Sequence, residues 1–183
     1  MRVIAGSLKG RTLLSPTWSG LRPTSDRLRE TLFNVLAPRV TGAHVLDGYA
    51  GTGAVGIEAL SRGASQVTFV ESDRRAERLI TENLARCGIT EPYVIIRAPL
   101  ERSFDTLRRS PSFVPFDIVF LDPPYDMSPD AVLAGVAAVV GAHGIVVLEH
   151  AKRQSAPVES GRLVQTRDLV SGDSALAFYA CRP

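Results

Sequence analysis

Between residues 43 and 149 short apolar runs alternate with amphipathic stretches, and this rhythm constrains the fold more than any other feature of the chain. Strand candidates fall at 43–47, 66–71, 93–97, 116–122 and 144–149, with helical stretches between them at 55–62, 74–87, 100–107 and 129–140. A run such as Ile118-Val119-Phe120-Leu121 lacks polar alternation, which suits a strand buried on both faces of a parallel sheet. Strand–helix alternation at this period predicts a doubly wound, Rossmann-like α/β domain. The last two strand-like runs, 162–170 and 176–182, are separated only by a turn around Ser171-Gly172-Asp173-Ser174. No crossover helix fits there, so these strands are expected to pair antiparallel and close the sheet as a hairpin.

Ahead of this domain lies a segment of different character. Residues 2–6 and 11–14 read as two short β-runs joined by Ser7-Leu8-Lys9-Gly10, a hairpin signal. After a loop over 15–23, Thr24 or Ser25 can cap a helix with Asp26 in its first turn. Leu28, Leu32 and Val35/Leu36 recur at helical spacing, and Pro38 is expected to end the helix. Residues 1–40 carry seven basic and two acidic groups, a net +5, whereas the whole chain of 183 residues carries only +2. The expected organisation is a basic N-terminal extension over 1–40 and a catalytic domain over 41–183. A basic arm on a mildly acidic body suits a polyanion, and Lys9, Arg11, Arg22, Arg27 and Arg29 are its candidate contacts.

Other classes find little support. No stretch reaches the ~20 apolar residues of a membrane span, and the N-terminus lacks the apolar core of a secretory signal. Cys87 and Cys181 are too far apart for a disulfide framework, and His44, His143 and His150 show no ligand spacing. A cytoplasmic protein with no membrane partner and no metal is expected; no oligomer is implied.

The first strand runs into Asp47-Gly48-Tyr49-Ala50-Gly51-Thr52-Gly53-Ala54-Val55-Gly56, so Gly51, Gly53 and Gly56 satisfy G-x-G-x-x-G between a strand and a helix. Such a loop brings backbone close to a nucleotide. Glu71, at the end of the next strand, can accept both hydroxyls of an adenosine ribose. Dehydrogenases and methyltransferases share these features, and Asp47 separates them. A carboxylate there would repel a pyrophosphate, but it suits the sulfonium and α-ammonium groups of S-adenosylmethionine. Asp47, Gly51, Thr52, Gly53 and Glu71 are therefore candidate cofactor residues.

The fourth strand delivers Asp122-Pro123-Pro124-Tyr125 to the carboxyl edge of the sheet, where open α/β folds bind ligands. The lone pair of an exocyclic base amine is delocalised into the ring, so the amine is a poor nucleophile. Two acceptors on its N–H bonds would favour a more tetrahedral nitrogen, and the Asp122 carboxylate and Pro123 carbonyl can supply them. Tyr125 offers a face for an extruded base. Asp122, Pro123 and Tyr125 are the candidate catalytic residues.

With these motifs in place, the chain resembles the bacterial 16S ribosomal RNA guanine-N2 methyltransferases of the small single-domain type, the guanine(966) group. The likeness rests on Met1-Arg2-Val3-Ile4-Ala5-Gly6 with Lys9-Gly10-Arg11, on Leu21-Arg22-Pro23-Thr24-Ser25-Asp26-Arg27-Leu28-Arg29-Glu30, on 50–64 and on 116–125. Cofactor binding alone does not require the Arg-Pro-Thr-Ser-Asp-Arg run. The resemblance implies a class I S-adenosylmethionine-dependent fold, guanine N2 as target, and 16S rRNA in an assembling small ribosomal subunit as partner. It also implies an acceptor for the adenine amine after the third strand, where Arg97-Ala98-Pro99 offers backbone near Ala98 or Leu100. Gly48 stands where the family has a bulky apolar residue, so a looser loop is expected. Glu149-His150 matches a family pair, and His150 is expected to be structural.

Three rival readings make different demands. A DNA adenine-N6 methyltransferase shares the Asp-Pro-Pro-Tyr chemistry but needs a sizeable region to read the major groove, and only 58 residues follow Tyr125. An idle RNA-binding module would show decay at Asp122, Tyr125 or Glu71, which are intact. A dehydrogenase is opposed by Asp47 and by the terminal hairpin.

Overall fold

The computed structural model describes residues 1–21, 24–124 and 126–182. In chain order it contains α1 (Asp26–Val40), β1 (His44–Gly48), α2 (Ala54–Ser61), β2 (Gln66–Glu71), α3 (Arg74–Cys87), β3 (Tyr93–Arg97), α4 (Leu100–Arg109) and β4 (Phe116–Leu121). It continues through α5 (Pro129–Leu133), β5 (Val140–Ala151), β6 (Glu159–Ser160), β7 (Leu163–Ser171) and β8 (Ser174–Cys181). The strands form one sheet in the order β3-β2-β1-β4-β5-β8-β7-β6. The first five are parallel, and β8 adds antiparallel to β5, followed by antiparallel β7 and β6.

Successive residues of the central strands serve opposite faces, as a pleated strand requires. Val45, Phe69, Ile118, Phe120 and Val147 pack with the apolar stripes of α1, α2 and α3. Leu46, Val70, Val119, Leu121 and Leu148 pack against Leu100 and Phe104 of α4 and Val132 and Leu133 of α5. The sheet is thus covered on both sides, which is why its strands read as continuous apolar runs.

The N-terminal segment is built into the first of these cores. Val3 and Leu13 are buried in it beside Leu28, Leu32, Phe33 and Leu36 of α1. The expected hairpin is a short ladder: Arg2 bridges Thr12, and the amides of Val3 and Leu13 donate to the carbonyls of Arg11 and Met1. Glu58 on α2 holds this ladder by accepting the amides of Ile4 and Ala5 at 2.8 and 2.9 Å. Position 40 therefore divides the sequence by charge but does not mark a break in packing.

Several element boundaries differ from expectation: β5 begins at Val140, inside the stretch expected to be helical, β6 is unexpected, and two helix ends have a local cause. Pro38 lies inside α1, which continues to Val40. A proline in the last turn loses one hydrogen bond, and burial of Leu36 and Val40 on either side keeps the turn closed. The helix expected over 129–140 stops at Leu133, because Gly135 takes a left-handed φ of 82° and a 3-10 turn over Val136–Ala138 leads directly into β5. No helix among the described residues is long and apolar enough to cross a membrane.

Candidate active site

The carboxyl ends of β1, β2, β4 and β5 open into a cavity of about 630 Å³. The segment Trp18–Leu21 and the start of α1 lie along one wall, and the β7–β8 turn around Gly172 lies along another. The glycine loop forms the floor. Gly51 and Gly53 both have positive φ, 55° and 75°, so the chain reverses tightly into α2. Gly56 is needed for a different reason. A Cβ there would stand 2.2 Å from Phe69 Cε1 and 2.8 Å from Val67 Cγ1, so only glycine lets α2 lie this close to β2.

Both predicted carboxylates meet at this loop. Glu71 accepts the Gly51 amide at 2.9 Å and the Asp73 amide at 2.8 Å, joining the loop to the start of α3. Asp47 is buried on the cavity floor and accepts the Gly56 amide at 2.8 Å, which ties β1 to the first turn of α2. Burial pushes the Asp47 carboxyl up from 3.8 to about 8. The Gly56 amide opposes this shift, and the charges of Asp122 and Glu71 reinforce it. Thr52 is buried, and its carbonyl accepts from Asn83 Nδ2 at 2.9 Å. Asn83 also bonds both backbone groups of Leu14, so one α3 side chain holds the glycine loop and the N-terminal segment together. Nothing in the local sequence pattern singles out Asn83; only a buried polar residue on an apolar helix face hints at it.

Asp122 follows β4 directly and lines the same cavity with Pro123 and Pro124. Thr24 Oγ1 donates to Asp122 Oδ2 at 3.0 Å. The described part of the Arg-Pro-Thr-Ser-Asp-Arg run, from Thr24 on, therefore has a place in the site: Ser25 caps α1 by accepting the Leu28 amide, and Thr24, just before it, reaches the strand-end aspartate. Tyr125 and Arg22 lie outside the described residues.

Two expectations are corrected, those for Arg29 and Gly48. Arg29 is fully buried, donating to the Arg2 carbonyl and Asp26, with Glu58 3.6 Å away, and so cannot reach a phosphate. Its place on the apolar stripe of α1, between Leu28 and Leu32, turns it into the core. Ala98, just after β3, is not among the residues that line the cavity, whose wall includes Ser72 and Asp73 beyond the end of β2. Gly48 does not loosen the loop. It belongs to β1, where a Cβ would fall 2.9 Å from Leu121 and 3.1 Å from Leu100, so neighbouring leucines already fill the space of a larger side chain. Tyr49, next in line, holds an unfavourable positive φ of 69° and donates to Glu101 on α4 at 3.2 Å. Lys9, Arg11 and Arg27 are exposed, as expected of candidate contacts. His150 is buried away from the cavity, with Nδ1 3.1 Å from the Ala151 carbonyl and Nε2 3.6 Å from Asp168.

A five-stranded parallel sheet with an antiparallel strand inserted beside β5, its glycine loop and acidic strand ends facing one cavity, defines the class I S-adenosylmethionine-dependent methyltransferase fold. Within that class, the chain belongs to the family described as Conserved hypothetical protein 95, whose model matches residues 1–180. It is 35% identical over 185 residues to "Putative rRNA methyltransferase YlbH" of Bacillus subtilis (strain 168), covering the whole of both chains. It is 43% identical over 127 residues to "Ribosomal RNA small subunit methyltransferase D" of Haemophilus influenzae; that match covers 68% of this chain and 64% of the relative, less than two thirds of its length. Among solved structures, "Putative methyltransferase yhhF from Escherichia coli" superposes with a TM-score of 0.82 at 32% identity, covering 99% of this chain and 97% of that one.

Proposed function

We propose that this protein transfers a methyl group from S-adenosylmethionine to the exocyclic N2 amine of a guanine in 16S ribosomal RNA of the small subunit. The observation that carries the reading is the pairing of Asp122 with Thr24 in the same cavity as the glycine loop and its two anchoring carboxylates, Asp47 and Glu71. Relatives named as ribosomal RNA methyltransferases favour RNA as the substrate.

The cavity wall fits a cationic cofactor. Among the described residues it carries the carboxylates of Asp47, Glu71, Asp73, Asp122, Glu149 and Asp173 against two guanidiniums, Arg27 and Arg75, and Asp73 pairs with Arg75. Such a wall repels a pyrophosphate and attracts a sulfonium with an α-ammonium group. When bound, S-adenosylmethionine supplies an electrophilic methyl carbon. Glu71 offers its remaining lone pairs to ribose hydroxyls while both oxygens secure the loop. Asp47 faces the cationic end.

On the substrate side, Thr24 fixes one Asp122 oxygen and thereby orients the carboxylate. Asp122 accepts one amine N–H and the buried Pro123 offers its carbonyl to the other, while Met127 occupies the neighbouring Pro124 carbonyl at 3.0 Å. The lone pair of the amine nitrogen is then aimed along the methyl axis, and positioning supplies the rate gain. Tyr125 offers a stacking face. Lys9, Arg11 and Arg27 meet phosphates; Arg22, from the same basic segment, joins them.

The test is direct. Asp122→Ala should abolish methyl transfer to small-subunit RNA while leaving S-adenosylmethionine affinity within a few-fold of wild type, because its bonds go to the base. Thr24→Val should lower kcat by about tenfold or more with little change in cofactor affinity, a hydrogen bond to a charged group being worth ~1.5–3 kcal/mol. Near-normal transfer by Asp122→Ala would overturn the mechanism, and N6-methyladenine in DNA as the main product would overturn the substrate.

A further inference from the structure

The cavity has a second carboxylate beside the reacting one. Leu121 of β4 pairs in register with Leu148 of β5, so the residues that follow, Asp122 just past the end of β4 and Glu149 still within β5, stand side by side. Phe120 and Val147 face the core beneath α1 and α2, and by strand alternation Asp122 and Glu149 continue that same face into the cavity. Glu149 is only 4% exposed, and it lines the cavity wall next to the β7–β8 turn. Neither the glycine loop nor the acceptors for the amine require a buried carboxylate at this position.

Among the bases that carry an exocyclic amine, guanine alone has a ring N–H donor next to that amine. The ring neighbour in adenine and in cytosine is a bare nitrogen lone pair. With the amine held at Asp122, a carboxylate on the next strand meets a donor only if the base is guanine; it would oppose a lone pair in the other two. We infer that Glu149 is the specificity-determining residue of this site, accepting guanine N1–H and so excluding adenine and cytosine. The inference rests on the guanine-N2 reading given above.

The probe is an RNA fragment carrying the nucleotide that the wild-type protein methylates, made with either guanosine or 2-aminopurine riboside at that position. 2-Aminopurine keeps the amine but lacks the N1 proton, and its fluorescence rises when the base is drawn out of the stack. Wild type should prefer guanosine in kcat/KM by roughly a hundredfold or more, because a carboxylate would face a lone pair in the analogue. A Glu149→Gln amide can accept from N1–H or donate to the bare N1, so the preference should fall to within about tenfold. Equilibrium binding of the two fragments, read by 2-aminopurine fluorescence and by competition, should shift in the same sense. Each comparison is a ratio within one sample, so partial misfolding of the variant cancels. An unchanged ratio in Glu149→Gln, with N2-methylguanine still the wild-type product, would overturn the role of Glu149 alone. A wild-type product methylated on another base would overturn the guanine reading and the inference together.

Discussion

The Asp47 carboxyl is held at about 8 in the folded chain, and this has a sign that can be measured. Between about pH 4 and pH 8 the folded protein binds a proton that the unfolded chain has already released, so Asp47 makes the ligand-free protein less stable as pH rises across that window. A cationic ligand favours the ionised form. S-adenosylmethionine affinity should therefore climb as pH rises toward about 8 and level off above it. Calorimetry near pH 7 in buffers of different ionisation enthalpy should show close to one proton released per ligand bound; none released would mean that Asp47 does not face the cation. Glu71 makes a different prediction. Its carboxylate holds the Gly51 and Asp73 amides; if its remaining lone pairs accept a ribose, as proposed, Glu71→Ala should weaken S-adenosylmethionine binding by about 1.5–3 kcal/mol, the range for hydrogen bonds to a charged group. Unchanged affinity would place the ribose elsewhere.

At the scale of elements, two interfaces decide whether the cavity exists. The first is α2 against β2. Gly56→Ala would place a methyl 2.2 Å from the Phe69 ring, forcing α2 off the sheet and shifting Asp47's partner amide with it. Overpacking of this kind costs about 1–3 kcal/mol, so a drop in the unfolding free energy is expected alongside weaker cofactor binding. The second is α1 against α2. Arg29 and Glu58 are buried and, with half-buried Arg62, form a chain of charges that also carries the amides of Ile4 and Ala5. Arg29→Ala would leave Glu58 with less compensation in the core and should destabilise the fold by about 3–5 kcal/mol. A chemical denaturation curve indistinguishable from wild type would show that the ladder does not depend on this pair.

Over the whole molecule, charge is divided between the two ends of the sequence although the packing is continuous. Residues 1–40 carry +5 and the rest carries −3, yet Val3 and Leu13 share a core with Phe69 and Phe120. If exposed Lys9 and Arg11 meet phosphates, Lys9→Glu with Arg11→Glu should weaken RNA binding. It should also flatten the dependence of log affinity on log salt by about 0.7–0.9 for each phosphate that is no longer neutralised. Both side chains are exposed on the turn side of the ladder, so the double variant should melt like wild type. Equal RNA affinity and equal salt slope would leave the N-terminal segment with a packing role only.

What the sequence determined by itself was whatever depends on neighbours along the chain. Periodicity located the five parallel strands, because a strand buried on both faces must be apolar throughout. The short turn at Gly172 dictated an antiparallel ending. Gly51, Gly53, Glu71 and Asp122 could be singled out as candidates because a loop, a strand end and a motif each have local signatures. Tertiary structure decided what depends on partners far away in sequence. Arg29 reads as one more exposed cation until Glu58, 29 residues on, is seen to share its burial. Gly48 reads as a gap until Leu100 and Leu121 are seen to occupy it. Thr24 and Asp122 lie 98 residues apart, and Asp122 and Glu149 become neighbours only through strand register. Burial and hydrogen bonding are properties of the assembled sheet, so the site's chemistry could be proposed from motifs, but its geometry came from the fold.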